Sequence, residues 1–261
     1  MNASGAIFGR GEAPGYWQPS PLAAGPFSGL QGGAIASLLT AEVEALADER
    51  KWGTAISVTV SFLKPTPMSS LRTQILPLRE GGRVNVIDNT LYADVHSDPC
   101  ATARITFIND RYVETPEIPR TPPTNIDPSK YPLRTIKSFH GRPWMMDAME
   151  SRIGDGVAWF RQTVPIIAGA SSSSLSAVLG PADWTHGIAR PLQNVVADPN
   201  PNLTVHLLRK PRGGWVGIRA QCSWDTERGV GVGDGIILDV HGEIGNVSMA
   251  VALTPFPKPA A

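Results

Sequence analysis

The chain has 261 residues, 23 Lys and Arg against 23 Asp and Glu, a formal net charge of zero and a hydrophobic fraction of 42%. That length suits one large domain or two of ordinary size, with a full core. A balanced surface does not steer the protein toward nucleic acid or an anionic membrane, and no segment has the roughly 18 uninterrupted apolar residues of a membrane span. Cys100 and Cys222 are too few for a disulfide framework and fit a reducing compartment, so a cytoplasmic location is expected. Met1 to Arg10 lacks the basic segment and long apolar core of a secretory signal.

Residues 1–28 are rich in Gly and Pro with scattered aromatics (Phe8, Tyr16, Trp17), which predicts a short strand or two within loop. The next stretch, Gly29 to Leu46, organises the chain. Gly32 and Gly33 let other groups approach the backbone, and Ile35, Leu38, Leu39, Val43 and Leu46 then recur at spacings of three or four. No charge appears before Glu42, so the spacing predicts a helix over 33–47 that is buried on most sides. Such a helix needs a sheet to wrap it.

Strands follow. Ile56, Val58, Val60 and Phe62 alternate with Ser57, Thr59 and Ser61, the period of a half-buried strand. Further strands are predicted over 69–79, 83–95 and 100–109, with turns at Gly81-Gly82 and Asp98-Pro99. Residues 110–150 change character: Pro116, Pro119, Pro122 and Pro123 each remove a backbone donor, which predicts a connector on the surface, anchored by Phe139, Trp144, Met145 and Met146. The pattern then restarts with a strand over 157–164 and a helix over 171–183. Its opening serines suit an N-cap and Gly180-Pro181 should kink or split it. Four strands follow, over 202–209, 214–224, 229–239 and 243–253.

The restart is an internal repeat. Thr59 to Lys64 matches Thr204 to Arg209 at an offset of 145, and Asp94-Val95-His96 matches Asp239-Val240-His241 at the same offset. Val58, Val60 and Phe62 fall on Leu203, Val205 and Leu207, so the apolar faces stay in phase.

Leu30-Gln31-Gly32-Gly33, Ser61 to Pro67, Gly180-Pro181-Ala182-Asp183 and Asn200 to Leu207, taken in order with the repeat, resemble the double hotdog proteins, in particular acyl-CoA thioesterases of the medium-chain type. The likeness spans roughly 15–255. It implies an α+β fold of two repeats, each a curled antiparallel β-sheet wrapped around a central helix. The units are expected at 1–112 and 153–261, with a Pro-rich linker over 113–152. It also implies a homodimer.

In that family an Asp, a Thr or Ser and a Gln of the second unit hold the attacking water. By motif these fall on Asp183, Thr204 and Met249, the last a departure, since a thioether cannot donate as an amide does. Ser248 or Asn246 could stand in for it. Asp183, beside Ala182 and Trp184, would be the general base, or would attack to give an anhydride. An Asp after Gly-Pro could also serve only to break the helix. Gly32 and Gly33 could offer N–H groups to a thioester oxygen, or only allow tight packing. His206 shares a face with Thr204 and could line the pocket, or be a sheet histidine. Asn85 could touch the acyl or pantetheine arm, and His186 could pair with Asp183.

Other chemistries fit poorly. No Gly-x-Ser-x-Gly elbow exists. The glycines of 229–235 lead into a strand rather than a phosphate-binding helix, and no metal-ligand spacing appears. The expected function is hydrolysis of an acyl-CoA or other acyl thioester in lipid metabolism, with no cofactor and no metal. The alternatives are dehydration or cyclisation of a polyketide-like thioester, or non-catalytic acyl binding.

Overall fold

The computed structural model describes residues 5–26, 28–117, 123–136, 141–170, 175–192 and 195–255. In the first half, β1 (Phe8–Arg10) and β2 (Tyr16–Pro19) precede helix α1 (Gly32–Arg50), which is followed by β3 (Thr54–Phe62), β4 (Leu71–Arg79), β5 (Val84–Ala93) and β6 (Ala101–Ile108). In the second half, β7 (Met149–Gly154) and β8 (Val157–Gln162) precede α2 (Ser176–Asp183) and α3 (Thr185–Ile188). Then come β9 (Val196–Ala197), β10 (Asn202–Leu207), β11 (Val216–Asp225), β12 (Val230–Asp239), β13 (Gly242–Ala252) and β14 (Thr254–Pro255).

Twelve strands form one antiparallel sheet in the order β1-β2-β4-β5-β6-β3-β10-β13-β12-β11-β8-β7, with β9 and β14 paired apart. The order reads the same from both ends in terms of the repeat: β3 matches β10, β6 matches β13, β5 matches β12 and β4 matches β11. This is the double hotdog. The two units join where β3 pairs with β10, Thr59 opposite Thr204.

Period-two alternation sends Val58 and Val60 on β3, and Leu203, Val205 and Leu207 on β10, to the face that carries the helices. A register irregularity between Ala55 and Ser57 turns Ala55 inward and leaves Ile56 half-buried, against the simple alternation. α1 is buried from Gly33 to Thr40 and again at Val43 and Ala47. It runs three residues past its expected end, through charged residues that remain in solvent, and stops where Lys51 takes a left-handed conformation (φ 56°).

The two helices pack antiparallel. The first residues of α1 meet the end of α2, and Glu44 further along α1 accepts hydrogen bonds from the N–H groups of Leu175 (3.2 Å) and Ser176 (3.1 Å). The donors opening α2 are therefore met from α1, and the residue at its N-cap position, Leu175, has no capping side chain. The serines 171–174 lie outside the described residues. α2 ends two residues after Pro181, and Trp184 separates it from α3, the split expected at Gly180-Pro181.

The connector carries more structure than its prolines suggest. Trp144, Met145 and Met146 are buried, and Trp144 meets Trp184 edge-on at 5.4 Å. Phe139 lies outside the described residues. β7 begins at Met149, inside the stretch expected to be linker to residue 152, and pairs along β8.

Candidate active site

Asp183 closes α2 and is 4% exposed. Three donors converge on its carboxylate. Gln31 Nε2 donates to Oδ2 (2.5 Å), Asn200 Nδ2 donates to Oδ1 (2.8 Å), and the Gly33 N–H bonds it as well. Gln31 belongs to the first unit. It is the N-cap of α1, its Oε1 accepting from the Ala34 N–H (2.9 Å) while its amide N–H reaches Asp183. Asn200 stands just before β10 and also donates to the Asn202 carbonyl (3.1 Å). The carboxylate is thus fixed by both units.

The glycines that open α1 make room for it. A Cβ on Gly32 would stand 2.9 Å from Asp183 Oδ1 and 3.0 Å from Phe62. One on Gly33 would stand 2.9 Å from the Gly180 Cα and 3.0 Å from the Asp183 Cβ. Burial pushes the Asp183 carboxyl above the ordinary carboxylate range, opposed by the neighbouring His186 and by the Asn200 and Gly33 hydrogen bonds.

Asp183 lines a cavity of about 520 Å3 together with Gln31, Gly32, Asn200, Phe62, Thr66 and Trp184. That is within the usual range for small-molecule sites. Lys64, His186 and Arg190 supply basic groups on its walls. His186 Nδ1 lies 3.0 Å from Asp198 Oδ2, and Arg190 Nε donates to the same oxygen at 2.7 Å. Asp198 has no exposed surface. Burial raises its carboxyl, but His186 and Arg190 outweigh that and hold it below the ordinary range. Among the described residues no cluster of three or more His, Cys, Asp and Glu side chains is placed to hold a metal ion, and no helix is long and apolar enough to cross a membrane.

The structure brings Gly32, Gly33 and Asp183 together and places the other expected residues elsewhere. Thr204 points to the outer face of the sheet, 3.4 Å from the Thr59 hydroxyl, because Leu203 and Val205 take the inward positions. His206 is exposed on that same outer face, between Ser57 and Asn246. Ser248 and Asn246 face outward as well. Met249 faces inward but is buried in the core, against Gly233, and does not line the cavity. Asn85 is satisfied locally, donating to the Trp52 carbonyl (2.9 Å) and accepting from the Gly81 N–H (2.8 Å), so it holds a turn. His186 pairs with Asp198 instead of Asp183. Gln31 and Asn200 were not singled out from sequence, although both stand inside motifs that carry the resemblance.

Comparison with known proteins identifies the family and agrees with the fold. Residues 20–108 match the acyl-CoA thioesterase N-terminal domain and residues 116–247 the acyl-CoA thioesterase C-terminal domain. Among solved structures, a protein of unknown function with a hot dog fold from Alicyclobacillus acidocaldarius is similar at 15% identity and TM-score 0.72, covering 96% of each chain. The acyl-CoA thioesterase II TesB2 of Mycobacterium marinum is similar at 12% identity and TM-score 0.68, covering 99% of this chain and 98% of that one. The tesB protein of Mycobacterium avium subsp. paratuberculosis is similar at 14% identity and TM-score 0.64, covering 94% and 95%. No curated protein matches the sequence. Both domain models fall in order on the two halves of one double hotdog, and the chain belongs to the acyl-CoA thioesterase family, the thioester hydrolases built on that plan.

Proposed function

We propose that the chain hydrolyses acyl-CoA thioesters with a water deprotonated by Asp183. The observation that carries this is a buried carboxylate on a cavity wall, oriented by an amide from each unit. Burial makes Asp183 a stronger base than a solvated carboxylate, and the fixed donors hold its oxygens without reorganisation. Gln31 and Asn200 supply the amide function that Met249 lacks.

The N–H of Gly33 is committed to Asp183, so the donor left for the thioester oxygen is that of Gly32. It is the first N–H of the 19-residue α1, it has no partner among the described residues, and Gly32 lines the cavity. Developing negative charge on the oxygen is favoured there by the helix N-terminus. Water adds to the carbonyl as Asp183 takes its proton. The tetrahedral intermediate then expels the thiolate and leaves a carboxylic acid.

The test is release of free CoA thiol from acyl-CoAs of graded chain length by wild type and Asp183→Asn. The variant should lose about 10²–10⁴-fold in kcat while still binding a non-hydrolysable thioether analogue. A variant as active as wild type would remove Asp183 from the chemistry. Thiol release from no substrate by wild type would favour acyl binding without turnover.

A further inference from the structure

One group on the cavity wall has no task in that chemistry. His186 lies three residues beyond Asp183, and its side chain is 12% exposed. The hydrogen bond between Nδ1 and the buried Asp198 carboxylate fixes the ring, as a carboxylate does wherever a histidine must present its other nitrogen. Asp198 is itself held by Arg190, through Nε at 2.7 Å and Nη2 at 2.5 Å. Nε2 of His186 has no hydrogen-bond partner among the described residues. The imidazole also lies close enough to Asp183 to be the strongest influence opposing burial on that carboxyl.

From this geometry we propose that His186 is the general acid that protonates the departing thiolate, with Asp198 as its positioning residue. The assignment rests on the reading of Asp183 as the base. The steps balance. Water gives one proton to Asp183 and its oxygen bonds to the thioester carbon. The C–S bond breaks, its electron pair goes to sulfur, and the Nε2 proton of imidazolium moves to that sulfur. The products are a carboxylic acid and a thiol. A proton then passes from Asp183 to His186 across the cavity, and both groups regain their starting states. The neighbouring charged and titratable groups are Asp183, Asp198 and Arg190, with Cys222 on β11, whose thiol feels Asp198, Arg190 and Asp234.

The need for an acid depends on the leaving group, and that decides the test. His186→Asn removes Nε2 but leaves an amide able to bond Asp198, and His186→Gln serves if the first variant is unstable. Each is compared with wild type on an acyl-CoA and on an aryl thioester of the same acyl group, whose thiol is far more acidic. A thioether analogue of acyl-CoA should bind wild type and variant alike. The loss in kcat should be about 10²-fold on the alkyl thioester and less than about threefold on the aryl thioester. Asp198→Asn should show the same dependence on leaving group. Equal losses on both substrates, or none on either, would overturn the role of His186. Equal losses for Asp198→Asn alone would overturn its positioning role. Asp183→Asn, run in parallel, should lose activity on both substrates. If it loses none, the base assignment fails, whereas the leaving-group pattern of His186→Asn reports on the acid separately.

Discussion

Thr204 on β10 lies directly across the sheet from Thr59 on β3, their hydroxyl oxygens 3.4 Å apart. The two residues occupy the same position of the repeat, 145 residues apart. The pseudo-twofold relating the units therefore passes between them, on the sheet face opposite the helices. At the same offset Asp183 corresponds to Leu38, which is fully buried in α1, and Gly32 corresponds to Ala177. Where the end of α2 meets the start of α1, the duplicated frame thus carries a carboxylate at the position that Leu38 fills in the first unit.

Thr204→Val should leave kcat and KM for acyl-CoA within about twofold of wild type and shift stability by less than about 0.5 kcal/mol, as for a surface position. Steady-state thiol release and thermal melting check this. A loss comparable to that of Asp183→Asn would return Thr204 to the site.

Gln31→Glu keeps an acceptor for the Ala34 N–H but sets a second carboxylate against Asp183 Oδ2. Two carboxylates in contact share a proton, so the Asp183 carboxyl should move further up. The acid limb of kcat/KM against pH should shift upward by about a unit or more, with activity recovering at higher pH. An unmoved limb would mean that Gln31 does not act on the base.

Gly33→Ala puts a methyl 2.9 Å from the Gly180 Cα, a backbone atom that cannot step aside. The helices must separate, at a cost of about 1–3 kcal/mol, and Asp183 moves with α2. Denaturant melts should show the lost stability and thiol release a lower kcat. A variant of wild-type stability would contradict the close helix contact.

Stability should respond to pH through Glu42 on α1. Burial pushes its carboxyl above the ordinary range, opposed by hydrogen bonds from Thr73 (2.8 Å) and Asn89 (3.0 Å) and by the charge of Arg10. A raised folded pKa means that the folded state keeps a proton the unfolded state has released. The associated stability is full below the ordinary carboxyl range and is lost as pH rises through the folded value. Glu42→Gln should therefore raise Tm at neutral pH relative to wild type, with the gain vanishing toward about pH 4. A gain that grows as pH falls would reverse the sign.

Most of the frame was legible because period and spacing are local. The four strands after each helix stand within about two residues of their sequence positions. Side-chain pairing does not follow the repeat as closely: Arg209 holds the buried Asp239 with two hydrogen bonds, whereas its counterpart Lys64 pairs at 3.4 Å with Asp98, four residues beyond the counterpart of Asp239. The site was legible only in part. Asp183 and the glycines, which the structure brings together, stand within the motifs that carry the resemblance. Gln31 reaches Asp183 from 152 residues away, and no local pattern encodes that contact. Thr204 and His206 were misplaced for a simpler reason. The alternation that marks β10 as a strand fixes which residues share a face, and here that face looks away from the helices. The Glu44 cap on α2 was likewise hidden, since it comes from another element.

The most direct measurement is the pH dependence of kcat/KM for one good acyl-CoA in wild type and Asp183→Asn. Because burial raises the Asp183 carboxyl, the wild-type acid limb should lie above the ordinary carboxylate range, near about 4. The residual activity of the variant should show no such limb. The same limb persisting in Asp183→Asn would contradict the assignment, because another group would then be the base.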